Sequence, residues 1–117
     1  QYLLGYSYLT GRDVRKDYKK AAFWLSKAAN AGNPYAQNNL GLLYENGQGV
    51  SRDYKKAASL FKLSAEQGFD RAQFNLGLSY YSGTGVKKSR NEAIKWFRRA
   101  AEQGNEDAIT NLRILLN

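Results

Sequence analysis

Leu40 and Tyr44 stand four residues apart in the stretch from Pro34 to Asn46, and Leu76 and Tyr80 repeat that spacing between Asp70 and Ser82. Such spacing lays apolar side chains along one face of a helix, so each stretch predicts one. Asn33 before Pro34 supplies an N-cap with proline at the first helical position. Gly47 and Gly83 follow the last turns, where a left-handed C-cap residue belongs. A second set of helices is predicted to begin after Asp17, Asp53 and Ser89, and Ser89 and Glu92 have capping-box spacing. The apolar stripe of that set is Ala21, Leu25, Ala28 and Ala29 in its first member and Ala93, Phe97, Ala100 and Ala101 in its last. Gly32, Gly68 and Gly104 close these helices, and no stretch reads as a strand.

The two kinds of helix alternate with a period of 36 residues. At that shift Gln1, Gln37 and Gln73 coincide, as do Leu4, Leu40, Leu76 and Leu112. So do Gly5, Gly41 and Gly77, then Tyr8, Tyr44 and Tyr80, then Ala36, Ala72 and Ala108. Identity at a fixed period marks a solenoid-type repeat. The expected architecture is an all-α superhelix forming a single domain over residues 1–117, with units at about 1–33, 34–69 and 70–105 and a partial unit at 106–117. A glycine within a helix costs about 1 kcal/mol relative to alanine. Gly5, Gly41 and Gly77 incur it at the same place each time, which predicts close approach of helices there. Tyr8, Trp24 and Leu25 supply bulk beside them, and stability is expected from stacking of neighbouring repeats. Arg113 stands where the next such glycine is due and Leu116 where the tyrosine is due, so the last helix is expected to be a terminal cap.

Composition narrows the chemistry. The 117 residues contain no Cys, His or Met. Disulfides and the usual zinc and transition-metal ligand sets are therefore absent. Nucleophile–base pairs built on His or Cys are absent as well. No apolar stretch approaches the ~20 residues of a membrane span. Nothing resembles a signal segment, and a start at Gln1, inside a first helix, suggests a processed protein or an excised piece that has lost preceding repeats.

The run Ala36, Gln37, Asn39, Leu40, Gly41, Tyr44, Gly47, Gly49, Val50, Asp53, Tyr54, Lys56 and Ala57, with the endings Ala28-Ala29…Gly32 and Ala100-Ala101…Gly104, resembles the Sel-1-like repeat (SLR) family. Its relative, the tetratricopeptide repeat, has a 34-residue period and lacks the G-x-G-V loop. The resemblance implies a right-handed α-superhelix of about three SLR helix-turn-helix repeats plus a terminal helix, with the first helices lining its concave face. It also implies an adaptor or scaffold role in assembling complexes. Asp13 in place of the second loop glycine, and Ser89-Arg90 in place of Asp-Tyr, depart from the pattern.

Candidate sites follow from what varies between repeats. The concave face is expected to present Tyr6, Leu9, Thr10, Tyr35, Asn38, Leu42, Glu45, Arg71, Phe74, Leu78, Tyr81, Thr110 and Ile114 to a partner peptide or helix. Exposed aromatics and arginine are common hot-spot types. Asn39, Asn75 and Asn111 form a ladder beside that face whose amides could pair with an extended peptide, although a role in the fold is the default. The G-x-G loops, Gly47–Gly49 and Gly83–Gly85, join two helices and read as turns, because a dinucleotide fingerprint needs a third glycine after a strand. Glu106 and Asp107 sit at a helix start, where they complement the dipole. No catalytic, metal or cofactor site is assigned, and the chain is not expected to be an enzyme.

Net charge is +8, and its basic residues gather at the second helices. Lys19, Lys20, Lys55, Lys56, Lys88 and Arg90 mark this basic edge, which Arg15, Lys16, Arg52, Lys62, Lys87, Lys95, Arg98 and Arg99 extend. The alternative to protein binding is therefore an electrostatic binder of nucleic acid or of an anionic membrane surface. Nucleic acid is the weaker option, since stacking platforms should interleave with the charge and the aromatics mostly occupy core positions. A membrane is expected to be met peripherally or through a partner.

Overall fold

A computed structural model of the chain describes residues 17–117. Six helices follow one another: α1 (Tyr18–Asn30), α2 (Pro34–Asn46), α3 (Tyr54–Glu66), α4 (Asp70–Ser82), α5 (Arg90–Glu102) and α6 (Glu106–Leu116). No strand occurs among the described residues. The sequence-predicted limits of α2 and α4 coincide with those observed. Asp17, Asp53 and Ser89 cap α1, α3 and α5, each side chain accepting from a backbone N–H in the first turn. The Ser89–Glu92 pair forms half of a capping box. The Ser89 backbone N–H donates to Tyr80 O, and the Glu92 carboxylate lies 3.5 Å from Lys95 Nζ. Phe69 precedes α4 without a side-chain cap, and its ring meets Tyr35 edge-on at 4.8 Å.

Each helix packs chiefly against its neighbours in sequence. The described chain is accordingly elongated, 45 × 26 × 23 Å. The core forms three clusters along that length. The first joins α1 to α2 through Leu25, Leu40 and Leu43, the second joins α3 to α4 through Phe61 and Leu76, and the third joins α5 to α6 through Phe97, Ala100 and Ala108. Helix-interior glycines make the α2–α3 and α4–α5 hairpins close. A Cβ on Gly41 would stand 2.7 Å from the Phe61 ring, and one on Gly77 would stand 2.6 Å from the Phe97 ring. The close approach expected from the period is therefore one between the backbone of a first helix and an aromatic ring of the second.

The second loop glycines act between repeats. A Cβ on Gly49 would meet Tyr18 O at 2.2 Å, and one on Gly85 would meet Tyr54 O at 2.1 Å. Each G-x-G turn thus rests on the first turn of the preceding second helix. Both positions have positive φ, +77° and +78°.

A polar relay reinforces the same junctions. Buried Gln37 donates to Ala29 O, and buried Gln73 donates to Ala65 O, carbonyls of the last helical turn that also accept from Gly32 N and Gly68 N. Their side-chain oxygens in turn accept from Gln67 and Gln103 of the next second helix, at 2.8 and 3.0 Å. Gln67 and Gln103 also donate to Gly32 O and Gly68 O. Gln73→Ala breaks two of these bonds, each worth about 0.5–1.5 kcal/mol net and together about 1–3 kcal/mol. Urea unfolding followed by circular dichroism should register a loss of that size for Gln73→Ala.

Candidate functional site

The repeated positions are spent on packing, which leaves the variable positions of the first helices to form the candidate surface. Tyr6, Leu9 and Thr10 lie outside the described residues. Of the others, Tyr35, Arg71, Leu78, Tyr81, Thr110 and Ile114 are exposed. Tyr81 is 50% and Ile114 65% accessible.

Three expectations need correction. Asn38 is buried, at 3% accessibility, and its side-chain oxygen accepts from Asn75 Nδ2 at 2.9 Å. Asn38 is therefore part of the junction between α2 and α4, and Asn75 is held by it. Phe74, at the position equivalent to Asn38, turns inward onto the third core cluster, its ring 5.7 Å from that of Phe97. Leu42 packs against the second cluster. These side chains leave the surface because neighbouring first helices must themselves be joined.

Asn111 is equivalent to Asn75, but its side chain makes no hydrogen bond among the described residues. Beside it a groove opens between α4 and α6, lined by Leu78, Tyr81, Phe97, Asn111, Ile114 and Leu115. Its volume is about 210 Å³ and its wall is mostly apolar, with the amide of Asn111 as a polar point. The groove brings together Leu78, Tyr81 and Ile114, three residues expected on the partner face, and Asn111 of the ladder beside it. Phe97 at its floor and Leu115 at its edge were assigned to the core or passed over. A small cavity of this kind is below the usual 300–1,000 Å³ of a ligand pocket. It suits one bulky side chain of a partner.

Charge separates the two sides of the array. Helices α1, α3 and α5 carry Lys19, Lys20, Lys27, Lys55, Lys56, Lys62, Arg90, Lys95, Arg98 and Arg99 against Glu66, Glu92 and Glu102, a net +7. Helices α2, α4 and α6 carry Arg71 and Arg113 against Glu45, Asp70, Glu106 and Asp107, a net −2. All six residues of the basic edge are exposed, Lys88 from the loop before α5. Arg90 also donates through Nη2 to Leu115 O, tying α5 to the end of α6. Among the aromatics outside the core is Phe23, which is 54% accessible on α1 with Lys27 Nζ 4.6 Å from its ring centre.

Glu45 is the unusual carboxylate. It stands in the last turn of α2, among carbonyls that disfavour negative charge, and has no ion pair among the described residues. Burial raises its pKa above the ordinary 4.5. The ionised form is thus penalised in the fold, a cost absent below the unfolded pKa and fully present above the raised one. Stability falls as pH rises through that window. Glu45→Gln should therefore melt at a higher temperature than the parent at neutral pH, with the two curves converging toward about pH 4. A gain that persisted unchanged in acid would point to a cause other than the charge.

The Sel1 repeat family model matches residues 1–33, 34–69 and 70–105. The chain belongs to the Sel1 repeat family. Solved Sel1-type structures superpose closely on it. A protective antigen present in uropathogenic Escherichia coli strains, displaying an SLR fold, is 42% identical with a TM-score of 0.92, over 95% of this chain and 24% of that one. A Sel1 repeat protein from Oxalobacter formigenes is 39% identical with a TM-score of 0.89, over 95% of this chain and 46% of that one. Helicobacter pylori cysteine rich protein B is 30% identical with a TM-score of 0.82, over 95% of this chain and 86% of that one. The chain therefore spans less than half the length of the first two. No curated protein matches it. Sel1 repeat arrays are α-solenoids that generally act as protein-interaction scaffolds and are typically non-catalytic. The present chain builds its array with no cysteine at all.

Proposed function

We propose that this Sel1 repeat array is a protein-binding scaffold that receives a partner segment, a peptide or a helix, along its first helices and anchors it in the groove between α4 and α6. The observation that carries this reading is that groove. Packing predicts that apolar residues at a junction between repeats will be covered, yet Leu78, Tyr81 and Ile114 remain exposed around an apolar hollow. Exposed apolar hollows on soluble proteins commonly serve association. A bulky apolar side chain of the partner fills the hollow, and its backbone finds a donor and an acceptor in Asn111. The net negative charge of the first helices, with Glu45 one repeat away from the groove, favours a partner segment that carries Lys or Arg beside its apolar anchor.

A random-peptide display selection on the purified chain tests the reading. The expected winners share a bulky apolar residue flanked by basic ones. Their affinity should fall at least about tenfold for Tyr81→Ala/Ile114→Ser, as for hot-spot truncations. Both side chains are exposed, so the helical spectrum should be unchanged. Selected peptides that bind the double variant as tightly as the parent would sink the proposal.

A further inference from the structure

The opposite side of the array carries a second surface of different chemistry. On α1, Lys20, Phe23 and Lys27 follow at i, i+3 and i+7 and so share the outward face. The equivalent positions are Lys56, Ser59 and Leu63 on α3, and Glu92, Lys95 and Arg99 on α5. Phe23 and Leu63 are 54% and 52% accessible in the middle of this basic field. Lys95 and Arg99 reach over the ring of Trp96, at 4.9 and 4.7 Å. Phe23 and Leu63 are the large apolar residues exposed at these three positions of the second helices.

We infer that the outward face of α1, α3 and α5 docks on an anionic lipid bilayer, with Phe23 and Leu63 entering the interface and the surrounding Lys and Arg meeting the headgroups. Charge complementarity selects an anionic surface, since these three helices carry the net +7. The apolar residues select lipid over nucleic acid. The aliphatic Leu63 offers no stacking plane to a base. The ring of Phe23 is already engaged by Lys27 on its face and by Trp24 edge-on at 5.2 Å. A bilayer interface accepts both residues, while long basic side chains extend their charge outward from an apolar stem. Binding is peripheral, because no helix among the described residues is long and apolar enough to cross a membrane. The surface is separate from the α4–α6 groove, so either proposal can fail without the other.

Co-sedimentation with vesicles tests it, using phosphatidylcholine alone and phosphatidylcholine mixed with phosphatidylserine, at rising salt. The chain should bind the mixed vesicles, leave the neutral ones, and release as salt increases. Phe23→Ser/Leu63→Ser should bind about tenfold more weakly at physiological ionic strength while keeping its helical spectrum. Lys55→Gln/Lys62→Gln should weaken binding most at low salt. Failure to bind the mixed vesicles would overturn the proposal. So would undiminished binding by the Phe23/Leu63 variant, or tighter binding to single-stranded RNA or DNA than to the vesicles.

Discussion

Gly85→Ala is expected to lower the unfolding free energy by about 3–4 kcal/mol, close to the upper end for a single substitution. Two costs combine. At φ +78° an alanine carries a left-handed backbone, which costs an L-residue about 1–2 kcal/mol. Its Cβ would also stand 2.1 Å from Tyr54 O and 2.6 Å from the carbonyl carbon, so the start of α3 must move away from the loop. A rotamer change cannot relieve a clash with backbone. Gly68→Ala is the matched control, because Gly68 has φ +94° with nothing within 4 Å of the added carbon. It should show the conformational cost alone, about 1–2 kcal/mol. Urea titrations of both variants separate the terms. Equal losses for the two would mean that contact between the loop and the preceding helix contributes nothing.

Phe97→Ala should cost about 3–5 kcal/mol, the range for deleting a buried phenylalanine. Its ring is fully buried, fills the third core cluster, forms the floor of the α4–α6 groove and lies against the bare backbone at Gly77. That last contact makes a coupled test possible. Gly77→Ala alone gains about 1 kcal/mol in helix propensity, but overpacks against the ring at a cost of about 1–3 kcal/mol. Combining it with Phe97→Ala removes the ring atoms that the new methyl would meet. The double variant should therefore be more stable than the sum of the singles implies, as residues in contact do not add. Strict additivity would place the ring elsewhere than on Gly77.

Much of the fold is legible in the sequence. Local rules determine α2, the end of α4 and the start of α5, so the cap at Asn33, the terminating Gly47 and Gly83, the Leu40–Tyr44 stripe and the cap at Ser89 locate these helix limits to the residue. The glycines at 41 and 77 announced a close approach, although which group approached them depends on the partner helix and was not readable. Gly49 and Gly85 were read correctly as turns but incompletely, because their contact with Tyr18 and Tyr54 joins residues about one repeat apart. The recurring Gln37 and Gln73 gave a signal in the period itself. Their relay with Gln67 and Gln103 is a three-dimensional fact. Helical position alone also placed Asn38 and Phe74 on the partner face. Both turned inward because a helix flanked by another helix on each side buries more than one stripe. The groove is not legible in the sequence, since its lining joins residues of α4, α5 and α6 as far apart along the chain as Leu78 and Leu115.

The proposed division is between repeated positions that hold the array and variable positions that meet a partner. Its most direct test is a backbone amide titration by nuclear magnetic resonance, with a peptide selected on the chain added to the labelled protein. The largest shifts should gather at Leu78, Tyr81, Asn111 and Ile114, with Phe97 following through the groove floor. Shifts confined to α1, α3 and the outward side of α5, with the groove residues unmoved, would contradict it.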